Sequence, residues 1–299
     1  MPNLTEEPPP MRRTLAVAAV LALGAAGAAL PANAAVSDVP ADCSTFTTAY
    51  HPDGQRVSYG YAAGKTSVTS YPGDTLAWVP SAWQQIGAAG DPYVFMSSEI
   101  ATHPTDGYLY DIQRRGEQVD GVWRMTGNTA TRMAPGFADT RILVDGVDYL
   151  YRVAGSSLYR YTRSYTNGRY TVSAPLTLRT TGWDQVKTLT YARTEGTGGA
   201  AVDVLLGTKT NGALAEWRVN QATPTTIGST TLRSSGWSGF GSVSTGWCEE
   251  HPAGRVLLGI TPAGSASVYF DADQRDRIGS DIKGGSLGAL GWTAKGYGQ

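Results

Sequence analysis

Three tryptophans in the chain are followed directly by polar side chains, a combination that suits the binding of sugars. A sugar ring presents an apolar C–H face, which stacks on an aromatic ring, and hydroxyl groups, which need fixed hydrogen-bond donors and acceptors. Two turn residues offer further polar groups. The candidate ligand-binding residues are therefore Trp83, Gln84, Trp183, Asp184, Gln185, Trp237, Ser238, Asp106 and Asn211.

The same tryptophans have a structural alternative. A protein built from repeats buries its apolar side chains between neighbouring repeats, and one large aromatic ring per repeat serves that purpose. The rings are then part of the core, and only the polar side chains that follow them face a ligand. Both interpretations stay open at this point.

Carboxylates offer a catalytic alternative, because two of them about 5–10 Å apart can hydrolyse a glycosidic bond. A glycosidase built from repeats places a different catalytic group in each repeat, whereas this chain repeats the same His-Pro turn. The motifs of serine hydrolases, phosphate-binding loops and zinc proteases are absent. We therefore expect a protein without catalytic activity. The carboxylates that a glycosidase would use are Glu99, Glu249, Glu250, Asp53, Asp106 and Asp145.

The three histidines, His51, His103 and His251, each begin a His-Pro turn. A zinc site needs three or four ligands that converge on one point. Because each histidine opens the same kind of turn in a different repeat, we interpret His-Pro as a turn element. No metal and no other cofactor is expected.

An internal repeat has a period near 50 residues. Gly182-Trp183 is matched by Gly236-Trp237, 54 residues later, and by Gly291-Trp292 after a further 55. Trp83 and Phe137 fall in the same phase. The His-Pro turns at 51, 103 and 251 supply a second marker. Each unit contains three or four short strand-like runs, which is typical of the blade of a β-propeller.

Composition agrees with an all-β fold. The chain has 37 glycines, 10% aromatic residues and only 16% charged residues, a balance that favours turns and strands over helices. We predict a single five-bladed β-propeller domain over 35–299. The predicted blades span 43–93, 94–140, 141–185, 186–239 and 240–292.

These repeats resemble the tachylectin family of lectins. The resemblance rests on Gly-Trp-(Asp/Ser)-x-(Val/Phe), a strand, a Pro/Gly turn and Leu-Tyr-x-Val, and it is clearest over 149–260. It implies a five-bladed propeller that binds N-acetylated hexosamines in shallow sites between blades. The expected function is that of a lectin for N-acetylglucosamine-type or cell-surface glycans. A propeller glycosidase and a protein-binding propeller without sugar affinity are the alternatives.

The amino terminus has the features of a signal peptide. Arg12-Arg13 precedes an apolar run over 15–30 and a small-residue cleavage site that ends at Ala34. We expect 1–34 to be removed and the mature protein to be secreted and extracellular, as a monomer without a membrane span. The net charge of −1 argues against nucleic-acid binding.

If the protein is exported, its two cysteines are expected to form a disulfide. In an oxidising compartment, two cysteines permit a single intramolecular pairing, Cys43 with Cys248. We therefore predict a disulfide that closes a loop of about 205 residues, which the chain-entropy description makes worth about 5 kcal/mol.

Overall fold

The computed structural model describes residues 35–294 and 296–298, and most of them lie in antiparallel β-strands. The all-β prediction is confirmed. The helical content of this part of the chain consists of three 3₁₀ turns at Val36–Asp38, Trp183–Gln185 and Gly198–Ala200. The predicted signal peptide, 1–34, lies outside the described residues.

Twenty-one strands run through the described part of the chain. They are β1 (Cys43–Tyr50), β2 (Arg56–Ala62), β3 (Lys65–Thr69), β4 (Ala82–Gly90), β5 (Val94–Thr102), β6 (Tyr108–Val119), β7 (Val122–Pro135), β8 (Thr140–Asp145), β9 (Tyr149–Ala154), β10 (Ser157–Thr166), β11 (Arg169–Val172), β12 (Leu176–Arg179), β13 (Val186–Glu195), β14 (Val202–Lys209), β15 (Leu214–Asn220), β16 (Ile227–Arg233), β17 (Ser242–Cys248), β18 (Arg255–Ile260), β19 (Ser265–Asp271), β20 (Lys283–Ala289) and β21 (Gly296–Gly298).

The strands pair into four sheets. Strands β4–β7 form one sheet, β8–β12 a second and β13–β16 a third. The fourth has eight strands, with β17–β20 on one side, β1–β3 on the other and β21 paired with β1. Its two sides are joined through the pairing of β1 with β17, which is short and includes Cys43 opposite Cys248.

Sequence-local turns explain why neighbouring strands pair. Asp120 and Gly121, between β6 and β7, have φ values of 53° and 76°, and Asn167 and Gly168, between β10 and β11, have 54° and 76°. Two successive positive φ values are what a two-residue hairpin turn requires, and Asp-Gly and Asn-Gly tolerate them best.

The core lies between the faces of neighbouring sheets. One cluster joins the β8–β12 sheet to the β13–β16 sheet and contains Trp183, Leu205 and Trp217. Another joins the β4–β7 sheet to the β8–β12 sheet around Phe137 and Leu150. The apolar faces of the sheets thus pack against one another in sequence order.

The strand pairing divides the chain differently from the predicted blade boundaries. β4 lies within the predicted first blade, 43–93, but it pairs with β5. The His-Pro turns are not equivalent either: the turn at His103 joins the second and third strands of its sheet, whereas that at His251 joins β17, the first strand of its group, to β18. The aromatic markers Trp83, Phe137, Trp183 and Trp237 lie at or just before β4, β8, β13 and β17, and Trp292 precedes β21.

The predicted disulfide is confirmed. Cys43 and Cys248 are bonded across the antiparallel pairing of β1 with β17. It therefore ties together the two sides of the eight-stranded sheet, which come from opposite ends of the described chain.

Candidate active site

Five strands, β4, β8, β13, β17 and β21, surround a central cavity of about 220 Å³. Around it β21 contacts β4, β4 contacts β8, β8 contacts β13 and β13 contacts β17. Five segments line the cavity: 81–84, 141–143, 187–190, 241–244 and 296–298. Most of these residues lie at the amino-terminal ends of their strands.

A second cavity, of about 360 Å³, is lined by residues of β4, β8, β13 and β17 together with Phe46 of β1, and we call it the mouth. Gln84 lines both cavities, so the two are adjacent along the same axis. The mouth is lined by Phe46, Gln84, Gln85, Asp145, Tyr191, Ala192, Thr245, Gly246 and Trp247.

Asp145 is the carboxylate of the mouth. Leu143 and Val144 anchor β8 in the core, and Asp145 follows them as the last residue of the strand, with a side chain only 15% exposed. Nη1 of Arg163 lies 2.5 Å from its Oδ1. A second bond from Arg163 to the Val147 carbonyl oxygen, at 3.2 Å, holds the guanidinium in place.

The surroundings of Asp145 shift its pKa toward neutral pH. Burial raises the pKa of Asp145 to about 7, although the charge and hydrogen bond of Arg163 favour the ionised form. A carboxylate with such a pKa exchanges its proton near neutral pH, which is the property that general acid–base catalysis requires.

Two side-chain amides lie in the same mouth. Gln85 accepts a hydrogen bond from Nη2 of Arg56 at 2.6 Å through Oε1, which leaves its N–H₂ group to donate elsewhere. No side-chain hydrogen bond of Gln84 is found within the described residues, and this residue is only 8% exposed. Both amides can therefore donate to an oxygen atom that enters the mouth.

Aromatic side chains complete the mouth. Trp247 is 56% exposed, an unusual state for so large an apolar ring, and Phe46 is half-buried. Such rings supply a contact surface for the apolar parts of a ligand.

Glu99, by contrast, belongs to a buried network of charges beside the mouth. It pairs with Arg56 and Arg114, each at 2.6 Å, and accepts a hydrogen bond from Tyr50 at 2.8 Å. Burial opposes ionisation, but the two arginines outweigh it and hold the pKa of Glu99 below its usual value. Since its side chain is fully buried, Glu99 has no route to a substrate.

The other carboxylates considered for catalysis lie in turns away from the mouth. Asp53 accepts a hydrogen bond from the Gln55 backbone at 3.0 Å. Asp106 binds Arg132 at 3.0 Å and Tyr110 at 2.6 Å. Glu249 and Glu250 are exposed in the turn after β17. Of the six, Asp145 alone lines the mouth.

The three tryptophans singled out for sugar binding are core residues. Trp83, Trp183 and Trp237 are 1%, 4% and 5% exposed. Their rings pack against Tyr50, Trp217 and Tyr269 with centroids 5.0, 5.4 and 4.8 Å apart. Burial leaves no open face on these rings for a sugar.

The polar candidates are spread over several surfaces. Gln185 binds Asp184 at 2.9 Å and accepts from Thr210 at 2.8 Å. The Ser238 carbonyl accepts from Lys187 at 2.5 Å, and Asn211 caps its own turn through the Ala213 N–H at 3.1 Å. Of the predicted residues, Gln84 lines the mouth.

Two residues that line the mouth, Gln85 and Trp247, were outside the predicted site, and so was Arg163, the partner of Asp145. Asp145 entered only through the glycosidase alternative. One sequence signal was present, because Asp145, Tyr191 and Thr245 each lie eight residues after an aromatic marker, Phe137, Trp183 or Trp237. Aligning the repeats would have brought these three residues together, but not Gln85, which lies two residues after Trp83.

A metal site has little support among the described residues. The single group of His, Cys, Asp and Glu side chains that converges closely enough there is Asp42, Cys43 and Cys248. Its two sulfurs form the disulfide, so they are not available as thiolate ligands. No helix in the described part of the chain is long and apolar enough to cross a membrane.

Comparison with known proteins gives structural likenesses only. No protein-family model and no curated protein matches the chain. A candidate 6-phosphogluconolactonase from Bacteroides fragilis has 8% identity and a TM-score of 0.34 over 82% of this chain and 81% of its own. A similar candidate from Bacteroides uniformis has 9% identity and a TM-score of 0.34 over 81% of this chain and 66% of its own. A periplasmic gluconolactonase from Pseudomonas aeruginosa has 10% identity and a TM-score of 0.35 over 84% and 97%.

These comparisons correct two expectations. The lectin function was wrong, because the structures that resemble this chain are named as lactonases and none of the three is a lectin. The expectation of a protein without catalytic activity is corrected with it.

Proposed function

We propose that the protein is a hydrolase that cleaves esters or lactones in the mouth, with Asp145 as the general base. The observation that carries the proposal is the half-buried Asp145 carboxylate, whose pKa is raised to about 7, in a cavity that also holds two amide donors and an exposed tryptophan.

The proposed reaction balances with the groups in the mouth. Ionised Asp145 removes a proton from water, and the water oxygen bonds to the carbonyl carbon of the substrate. The amide N–H groups of Gln84 and Gln85 stabilise the resulting oxyanion. When the carbon–oxygen ester bond breaks, the proton passes from Asp145 to the departing alkoxide, and the products are an alcohol and a carboxylic acid. In a lactone both groups belong to one hydroxy acid.

Ester cleavage suits this mouth better than glycoside cleavage. Glycosidases use two carboxylates on opposite sides of the scissile bond, and the lining of the mouth contains a single carboxylate, Asp145. Attack of water on a carbonyl carbon needs one base and a set of donors for the oxyanion. Asp145, Gln84 and Gln85 supply both.

We also propose that the sheets are the blades of a five-bladed propeller. The eight-stranded sheet divides at the β1–β17 pairing into β17–β20 and a blade made of β21 with β1–β3. The five first strands are then β21, β4, β8, β13 and β17, each preceded or begun by an aromatic marker, with Trp292 before β21. In this arrangement the carboxyl-terminal strand closes the ring.

We also propose that the protein is secreted, since the predicted signal peptide and the disulfide both suit an oxidising compartment.

Substituting Cys43 and Cys248 together by serine should remove about 5 kcal/mol of the free energy of unfolding, the chain-entropy value for so long a loop. Thermal unfolding with and without reductant measures the loss. Two free thiols in secreted protein, detected by mass spectrometry, would contradict the proposed closure.

Hydrolysis of 4-nitrophenyl acetate and of D-glucono-1,5-lactone tests the proposed activity. Asp145→Asn should lower kcat/KM by about 10²–10⁴-fold, the usual contribution of general base catalysis. Asp148→Asn is the matched control, because Asp148 is exposed three residues away and does not line the mouth. Equal activity of Asp145→Asn and the parent, or no hydrolysis of either substrate class, would overturn the proposal.

A further inference from the structure

A side groove of about 440 Å³ runs between β2–β3 and β4–β5, next to the mouth. Its walls are mainly apolar: Phe46, Tyr71, Ala89, Phe95 and Met96 all contribute. The groove is distinct from the central cavity, with which it has no lining residue in common.

The groove has a rigid aromatic wall. The rings of Tyr71 and Phe95 are stacked with centroids 4.8 Å apart, and Trp123 packs against both at 5.9 and 5.4 Å. Rings held in this way offer a flat contact surface at a low cost in conformational entropy. A flat apolar group is the ligand that such a wall fits.

The groove has a polar floor that carries no net charge. Arg56 is 8% exposed and its guanidinium is engaged by Glu99 at 2.6 Å and by Gln85 at 2.6 Å. Together with Arg114 and Asp74, the buried network contains two positive and two negative groups. An anionic ligand therefore gains no uncompensated cation here, and a neutral ligand is favoured.

One polar atom of the floor lacks a partner. Ser97 lines the groove and is 7% exposed, and its hydroxyl makes no hydrogen bond within the described residues. A buried hydroxyl without a partner costs free energy, so a ligand oxygen that accepts its hydrogen bond is stabilised.

The groove and the mouth are continuous, because Phe46 and Gln85 line both. A molecule whose carbonyl group lies beside Asp145 can thus extend past Phe46 into the groove. The amide of Gln85 stands at the junction of the two.

We propose that the side groove binds the neutral, flat, apolar arm of the substrate, and that this arm carries an oxygen that accepts a hydrogen bond from Ser97. The substrate class is then an ester or lactone with an aromatic arm. The substrate part of this inference rests on the hydrolytic function proposed above, whereas ligand binding in the groove does not.

Two substrates that differ only in the arm test the substrate part. We expect kcat/KM for 4-nitrophenyl 3-phenylpropanoate to exceed that for 4-nitrophenyl acetate by about 10–100-fold, as expected from the burial of one ring. Ala89→Trp, which fills the groove from an exposed position on β4, should reduce the ratio to about one. Thr69→Trp fills it from β3 and should do the same, which guards against a folding defect in either variant.

Val68→Trp is the matched control. Val68 is 54% exposed and precedes Thr69, so its side chain points to the other face of the sheet, and it does not line the groove. This variant should keep the parental ratio. A parental protein without preference for the phenyl substrate, or filled variants that keep the preference, would overturn the inference.

Binding of 2-naphthol, measured by calorimetry, tests the groove without any hydrolysis. The parent and Asp145→Asn should bind it alike, Ala89→Trp and Thr69→Trp should not bind it, and Ser97→Ala should weaken binding about fivefold, as for one hydrogen bond. If binding follows this pattern while no ester is cleaved, the groove stands and the hydrolase proposal fails. If 2-naphthol does not bind the parent, the inference about the groove fails.

Discussion

Asp145 and Glu99 are both acidic side chains close to arginines near the mouth, yet their pKa values are shifted in opposite directions. Glu99 lies between Arg56 and Arg114 and also accepts a hydrogen bond from Tyr50, so its pKa is lowered despite complete burial. Asp145 has one arginine partner, Arg163, and burial raises its pKa to about 7.

The two carboxylates differ in the number of their partners, and this difference suits Glu99 to a structural role and Asp145 to the proposed chemical one. Two cations and a hydroxyl keep Glu99 ionised and enclosed, which suits a group that joins the β1–β3 strands to the β4–β7 sheet. A single cation leaves Asp145 close to the point where it gains or loses its proton, at the edge of a cavity. Burial is common to both sites, and the number of partners decides the direction of the pKa shift.

The largest effect should come from breaking the Glu99 site. Glu99→Gln leaves Arg56 and Arg114 buried beside a neutral side chain and should lower the free energy of unfolding by about 3–5 kcal/mol. Urea unfolding measures it. Glu117→Gln is the control, since Glu117 makes an exposed pair with Arg115 worth about 0–1 kcal/mol. A change of less than 1 kcal/mol for Glu99→Gln would remove the structural role assigned to this network.

The raised pKa of Asp145 should make the free energy of unfolding depend on pH. Because its pKa is higher in the folded protein than in the unfolded chain, the folded state binds more protons between about pH 4 and 7, and this contribution to stability is lost as the pH rises. Relative to the parent, Asp145→Asn should therefore gain stability from pH 4 to pH 7, by up to about 4 kcal/mol. If the free energy of unfolding depends on pH in the same way for both proteins, burial does not raise the pKa of Asp145.

Removing the single cation sharpens the comparison. Arg163→Met should raise the pKa of Asp145 further, because an adjacent positive charge lowers a carboxyl pKa by at least about one unit. The pH at which kcat/KM reaches half its maximum should then move upward by about one pH unit. An unchanged or lower midpoint in the pH–rate profile would mean that Arg163 does not act on Asp145.

The all-β fold and the disulfide could be predicted because they depend on composition, repeat period and cysteine number. The strand boundaries could not be read from the His-Pro turns. The turn at His251 follows a first strand, whereas that at His103 follows a second strand, so one marker stands for two positions. The Gly-Trp marker was the better guide, since its ring packs where each first strand begins.

The site was harder to predict than the fold, for a physical reason. Gln85, Asp145 and Trp247 come from three strands that are far apart in sequence and meet only at one end of the central cavity. The raised pKa of Asp145 depends on burial by neighbours from other strands. By contrast, the Gly-Trp motif drew attention because it repeats, and it repeats because packing between sheets needs it.

The smallest effect on stability should come from Trp247→Ala. Its ring is mostly exposed, so the free energy of unfolding should change by less than about 1 kcal/mol, the range for surface positions. Loss of its contact surface should raise KM about tenfold with little change in kcat. The buried Trp183 is the contrast, since Trp183→Ala should cost about 3–5 kcal/mol. A stability loss of that size for Trp247→Ala would assign the ring to packing.

The most direct test of the account is the titration of Asp145 itself. In protein labelled with ¹³C at the aspartate carboxyl carbons, the signal that disappears in Asp145→Asn identifies this residue. We predict that this signal titrates with a midpoint near pH 7, because Asp145 is buried beside a single arginine. A midpoint near 4, the value of an ordinary aspartate, would contradict the assignment of Asp145 as the general base of the mouth.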